Sequence, residues 1–201
     1  MTDINFKCKT GDIVAIFGRN GSGKSTLFKI LFGTLRANKF EIYFDGRNIF
    51  KKSQLNKLIG LHLQEVFLPT DLKVRDIIPL FFPDGENQKK IFHDPLISKI
   101  DTLRVGKLSL GEQRYLQFLL MLNSNHPFLL LDEPFTMLEP LYRDKIKEKI
   151  IENRSNKGFI ISDHYYQDVL QIADNYKLLK NGTLLTIENP KDLIEEGYLK
   201  R

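Results

Sequence analysis

Apolar residues fall along the chain in short unbroken runs, separated by stretches of mixed character. Ile13-Val14-Ala15-Ile16-Phe17, Phe128-Leu129-Leu130-Leu131 and Gly158-Phe159-Ile160-Ile161-Ser162 offer almost nothing to water along their length. Runs of this length predict strands buried on both faces, as in a parallel sheet. Phe40-Glu41-Ile42-Tyr43-Phe44, followed by the turn pair Asp45-Gly46, and the apolar run over 58–63 predict two more. Between them, residues 27–32, 115–122 and 141–151 carry helical patterns. Strands alternating with helices predict an α/β fold with a parallel sheet. The segment 69–107 breaks the alternation: Pro79, Pro83, Pro95 and Asp84-Gly85 cut it into short helices and loops. It reads as a helical lobe inserted into a single domain whose core is 1–68 and 108–201.

Composition leaves this picture unchanged and removes several alternatives. With 42% hydrophobic and 27% charged residues, the chain of 201 is an ordinary globular one, of a size for one domain. Cys8 is the sole cysteine, so an intrachain disulfide is excluded and a reducing compartment fits. The richest apolar stretches, 77–82 and 116–122, fall far short of the ~20 residues of a membrane span. The first seven residues lack the apolar core and cleavage site of a signal peptide. The net charge of +5 is spread among acidic neighbours and reads as a solvated surface, so no nucleic-acid partner is expected.

The chemistry begins after the first strand. Gly18-Arg19-Asn20-Gly21-Ser22-Gly23-Lys24-Ser25-Thr26 fills every required position of the phosphate-binding template G-x-x-x-x-G-K-[ST]. A triphosphate concentrates negative charge, and glycines let successive backbone N–H groups turn towards it. The helix that follows adds the positive end of its dipole. Lys24 supplies a point charge to the β- and γ-phosphates and Ser25 a hydroxyl to Mg²⁺. The expected ligands are therefore a nucleoside triphosphate and Mg²⁺. Asp132 and Glu133 end the strand 128–131. The first is placed to hold Mg²⁺, and the second to draw a proton from an attacking water.

With Leu108-Ser109-Leu110-Gly111-Glu112 between these motifs, the sequence resembles the nucleotide-binding subunit of ATP-binding cassette (ABC) transporters, whose signature is L-S-G-G-Q. The resemblance covers nearly the whole chain, in the family's order. Gln64 matches the Q-loop glutamine, and the segment from Asp132-Glu133-Pro134 to Leu138-Glu139-Pro140 resembles D-E-P-T-S-A-L-D-P. His164, after Ser162-Asp163, matches the switch histidine, and Ala173-Asp174 and Asn181-Gly182 sit where the family closes its sheet. It implies a P-loop NTPase (RecA-like) core with a mainly parallel sheet, N-terminal antiparallel strands and an inserted helical subdomain. It also implies a head-to-tail dimer with ATP shared across the interface. Residues 18–26 of one subunit would face Ser109 and Gly111 of the other. Gln64 would contact Mg²⁺ or the lytic water, Glu133 would activate the water, and His164 would steady the γ-phosphate. A separate integral-membrane permease would receive the motion, holding the chain on the inner face of the cell membrane. Val66, Phe67, Leu68 and residues 77–82 are candidates for that contact.

Each motif has a plainer reading as well. Ser109-x-x-Glu112 is also a helix capping box, Gln64 could be mere surface, and His164 a structural histidine. Three positions depart from the family. Its adenine-stacking aromatic would fall before Met1, Leu110 replaces a glycine that would serve either a positive φ or a close approach to phosphate, and Glu139 replaces an aspartate. The 84 residues between Lys24 and Ser109 exclude the long coiled coils of chromosome-handling relatives. A soluble ABC-type ATPase, in cofactor assembly or another non-transport process, remains the alternative.

Overall fold

The computed structural model describes every residue except Asp3, Phe50, Asp84, Lys200 and Arg201; Asp84, half of the turn pair in the lobe, therefore lies outside the described residues. In chain order the elements are β1 (Ile13–Phe17), α1 (Lys24–Leu31), β2 (Tyr43–Phe44), β3 (Arg47–Asn48), α2 (Lys52–Leu58) and β4 (Ile59–His62). The lobe segment follows with α3 (Val74–Phe81), α4 (Glu86–Phe92) and a 3₁₀ turn at Val105–Lys107. The chain then runs through α5 (Leu110–Leu122), β5 (Phe128–Asp132), α6 (Pro140–Asn153), β6 (Gly158–Ser162) and α7 (Tyr166–Leu170). It ends with β7 (Asn175–Lys180), β8 (Thr183–Ile187) and α8 (Asp192–Glu195).

The main sheet has the order β4-β5-β6-β1-β7-β8. β1 pairs in parallel with β6 (Val14 opposite Ile160) and with β7 (Val14 opposite Asn175), and β5 pairs in parallel with β4 and β6. β8 returns antiparallel to β7 through Asn181-Gly182. The apolar runs are explained by this position. Every residue of β1 is 0% exposed, because both faces of the sheet are covered. Side chains alternate across a strand, so Ile13, Ala15 and Phe17 enter the core under α5, α6, α7 and the lobe, whereas Val14 and Ile16 enter the core under α1 and α2. Phe159 and Ile161 divide from Ile160 in the same way.

Two expectations change. The strand over 40–44 shrinks to Tyr43–Phe44 paired with Arg47–Asn48. Phe40 and Tyr43 are exposed, whereas Ile42 packs on the core beneath α1 and Phe44 meets Phe128 edge-on; a lone hairpin this short is marginal in its pairing. This hairpin is the N-terminal antiparallel element; the antiparallel pair within the main sheet lies at its far edge, β7 with β8. Ahead of β1, Ile4, Phe6 and Cys8 pack against the core beneath α1 without forming a strand. The segment 69–107 carries helices, one turn and a single bridge between Lys73 and Arg104. Its Val74, Ile77, Ile78, Ile91 and Ile97 are 0% exposed and join the core against α5.

Candidate nucleotide site

Parallel pairing brings the carboxyl ends of β4, β5, β6 and β1 to one edge, where ligands of open α/β sheets bind. The sequence places a candidate group just beyond each end: Gln64, Asp132-Glu133, Asp163-His164 and the loop 18–23.

The loop turns into α1 at Gly23, whose φ of 104° is open to glycine and strained for other residues. No side chain caps α1, so its first amides remain for a ligand. Lys24 lies folded back over its own loop, and its Nζ donates to Gly18 O at 2.8 Å and Arg19 O at 3.4 Å. Burial lowers its pKa, while Glu133, Asp132 and Asp163 oppose that shift. Ser25 and Thr26 are exposed on the first turn, and Asn20 and Gly21 on the rim. The Arg19 guanidinium points elsewhere, donating to Gly197 O at 2.8 Å. Ser22 Oγ is buried without a hydrogen-bond partner.

Across from the loop, Asp132 is 6% exposed. Burial raises its pKa, hydrogen bonds from Ser25 and Ser162 lower it, and Glu133 pushes it up again. Ser162 Oγ lies 3.2 Å from Asp132 Oδ1. Glu133 occupies the left-handed region with φ 54°, an uncommon conformation for a side chain of its size. Its backbone N–H continues the sheet by donating to Ser162 O at 2.6 Å. Its two oxygens are held from two sides: Gln64 Nε2 donates to Oε2 at 2.9 Å, and His164 Nε2 lies 3.0 Å from Oε1. Three residues that lie 69 and 31 positions apart in sequence thus form one cluster.

Ser109 and Gly111 are not part of that cluster. Ser109 caps α5: its Oγ accepts from Glu112 N at 3.2 Å, while Glu112 Oε2 accepts from Ser109 N at 2.7 Å. The capping box therefore exists as read. Gly111 lies against Tyr142, whose ring a Cβ would approach to 3.2 Å. Leu110 is the first residue of α5, 45% exposed and outside the positive-φ positions, so the strain anticipated there does not arise. Glu139 stands extended at φ −64°, ψ 152° before Pro140, the first residue of α6. That is the backbone a pre-proline residue favours, and its carboxylate sits at the positive end of a helix.

Sequence reading missed three residues that organise the site. Asp163 is 1% exposed and accepts from Phe135 N at 2.7 Å, Thr136 Oγ1 at 3.2 Å and Tyr165 N at 2.8 Å. Burial raises its pKa and these bonds oppose the rise. Arg114 Nη2 donates to Gln64 O at 3.0 Å and Nη1 to Thr136 O. Gln117 accepts from Phe67 N and donates to Leu63 O and Glu65 O, each at 3.1 Å. The one signal for Arg114 and Gln117 was their i, i+3 spacing on a helix that from Tyr115 onwards is apolar except at Gln117, which does not record their partners; Asp163 gave none.

The donors suit magnesium. An Asp132 carboxylate, a Ser25 hydroxyl and the amide oxygen of Gln64 are hard oxygen ligands, and Mg²⁺ takes few protein ligands alongside phosphate and water. Among the described residues no cluster of three or more His, Cys, Asp or Glu forms a self-sufficient metal cage. No described helix is long and apolar enough to cross a membrane.

The family model for the ABC transporter matches residues 1–136. The choline transport ATP-binding protein OpuBA of Bacillus subtilis (strain 168) is 25% identical over 207 residues, covering 96% of this chain and 54% of that protein. The chain thus spans about half the length of that relative. The lipopolysaccharide export system ATP-binding protein LptB of Haemophilus influenzae is 26% identical over 215 residues, covering all of this chain and 89% of that protein. Among solved structures, the dimeric post-hydrolysis state of the ATP-binding cassette MJ0796 bound to ADP and Pi shares the fold, with a TM-score of 0.75 at 23% identity over 92% of this chain and 90% of that one.

Proposed function

The chain belongs to the ABC transporter family, and on that premise we propose that it is an ATP-binding and ATP-hydrolysing subunit that acts as a pair and drives a separate membrane permease. The observation that carries the hydrolytic part is the grip on Glu133. Gln64 and His164 hold its two oxygens at 2.9 and 3.0 Å, beside the phosphate loop and Asp132.

In this reading the loop amides of residues 18–26 and the Lys24 ammonium receive the triphosphate, and Lys24 gives up Gly18 O to do so. Ser25, Asp132 and Gln64 would hold Mg²⁺, which would supply charge neutralisation to the phosphates. Glu133 takes the proton from a water as its oxygen bonds to the γ-phosphorus; the bond to the bridging oxygen breaks, leaving ADP and phosphate. His164 donates to the γ-phosphate oxygens as their charge develops, an electrostatic role. Ser109, Gly111 and the positive end of α5 serve the nucleotide of the other subunit. Their separation from the loop within one chain, and the dimeric cassette that shares this fold, support the pairing.

The permease part rests on surface and on relatives. The two named relatives are transport-system components. Between the main body and segment 69–107, an apolar pocket of about 150 Å³ is lined by Phe67, Leu68, Phe81, Leu120 and Met121, with Phe67 53% and Leu80 67% exposed beside it. This is the face for a permease segment, with 69–107 acting as a helical subdomain against the rest. Such a subunit works at the inner membrane face.

The test is phosphate release by the purified protein with and without Mg²⁺. Wild type is expected to hydrolyse ATP only with Mg²⁺. Glu133→Gln is expected to bind ATP while losing a hundredfold or more in rate, the order of a removed general base. A wild-type protein that binds ATP without releasing phosphate would restrict the chain to nucleotide binding.

A further inference from the structure

Among the described residues, two side chains of α5, Arg114 and Gln117, make the side-chain hydrogen bonds that tie the Gln64 segment to that helix, beside the apolar packing of Val66 and Leu68. Gln117, 1% exposed, makes three bonds to the backbone of Leu63, Glu65 and Phe67. Arg114, 7% exposed, bridges two segments: Nη2 holds Gln64 O and Nη1 holds Thr136 O. Thr136 lies in the turn that begins at Glu133 and is fastened on its other side to Asp163. Among the described residues Arg114 makes no ion pair with a carboxylate; Glu133 and Asp163 act on its charge from further away. A buried guanidinium is costly to keep, and this one spends its fork on two backbone carbonyls that neither folding of α5 nor core packing requires to be joined. What they have in common is that one carries Gln64 and the other follows Glu133, the pair whose side chains meet at 2.9 Å.

We propose that Arg114 is a positioning residue for hydrolysis, acting through Gln64 and Glu133 and touching neither nucleotide nor water. α5 is a rigid rod of 13 residues with Ser109 at its tip and Arg114 one turn inside. A displacement of the tip is carried by the guanidinium to both segments together, so the water site is set when Ser109 engages and is loosened when it does not. The proposal rests on the ATPase reading above, and the experiment separates the two.

Arg114→Lys is the decisive variant. It keeps charge and approximate length but replaces a planar fork with a point donor that cannot span both carbonyls. Its expected kcat for ATP falls about tenfold or more, as small misplacements of reacting groups do, while KM and the affinity for a fluorescent ATP analogue stay within about threefold. Arg114→Met should fall further, and analogue binding shows whether that variant folds. A wild-type kcat in Arg114→Lys overturns the proposal, as does a parallel loss of kcat and nucleotide affinity, which marks a purely structural arginine. If wild type itself releases no phosphate, the ATPase reading has failed, and the positioning role fails with it.

Discussion

Single residues in this chain are tuned by what surrounds them, and His62 is the sharpest case. It ends β4, 3% exposed, with both ring nitrogens buried and unpartnered, its ring edge-on to Phe118. Burial, and secondarily the Arg114 charge, lowers its pKa to about 4. The folded state therefore refuses a proton that the unfolded chain accepts near pH 6.5. Stability attached to His62 is complete above pH 6.5 and is lost as pH falls towards 4, by on the order of 3 kcal/mol across the window. Chemical denaturation of His62→Phe should show a flatter pH dependence between 6.5 and 4 than wild type; an identical slope would mean that His62 finds a partner on protonation. Glu133 illustrates the opposite use of an unfavourable state. Its left-handed φ is a local cost that aims the carboxylate between Gln64 and His164. Strain of that kind persists where surrounding bonds over-determine it, as Glu133 N to Ser162 O does here.

At the scale of elements, α5 combines two functions. Its capping box satisfies the helix end, and in the proposed dimer the same hydroxyl meets the partner's phosphate. Ser109→Ala should cost about 1 kcal/mol through the cap, or about 2–4 °C in Tm for a chain of this size. If Ser109 also serves the second subunit, ATPase activity should fall at least about tenfold, far beyond that loss of stability. Unchanged activity with a lowered Tm would reduce Ser109 to a helix cap. How well elements could be read from sequence follows from the same distinction between local and distant causes. β1, β5 and β6 were legible because strands buried on both faces carry continuous apolar runs. β4 was found within its run, and α1, α5 and α6 to within a turn or so at their ends. The short α2, with its single buried Leu55, has too narrow an apolar face to announce itself, and residues 40–42 are left outside the strand although Ile42 packs on the core and accepts from Ile49 N at 2.8 Å. The phosphate loop and the acids after β5 are local motifs and were readable as such. Asp163, Arg114 and Gln117 were not, since apart from the local bond of Asp163 to Tyr165 N their partners lie 22 to 54 positions away, and nothing in their neighbours' identity records that.

The whole molecule is arranged so that one sheet edge holds nucleotide chemistry and the tip of α5 is held away from it. Within one chain, Ser109 and Gly111 make no hydrogen bond to the phosphate loop among the described residues, so the proposed site is completed by a second copy. Association of two copies is therefore what the site requires. Glu133→Gln removes the base and should trap the closed pair. Multi-angle light scattering of that variant, with and without Mg-ATP, tests it directly. The variant is expected to be a monomer of about 23.4 kDa without nucleotide and a species of twice that mass with Mg-ATP. A protein that binds ATP yet stays monomeric would contradict the head-to-tail homodimer.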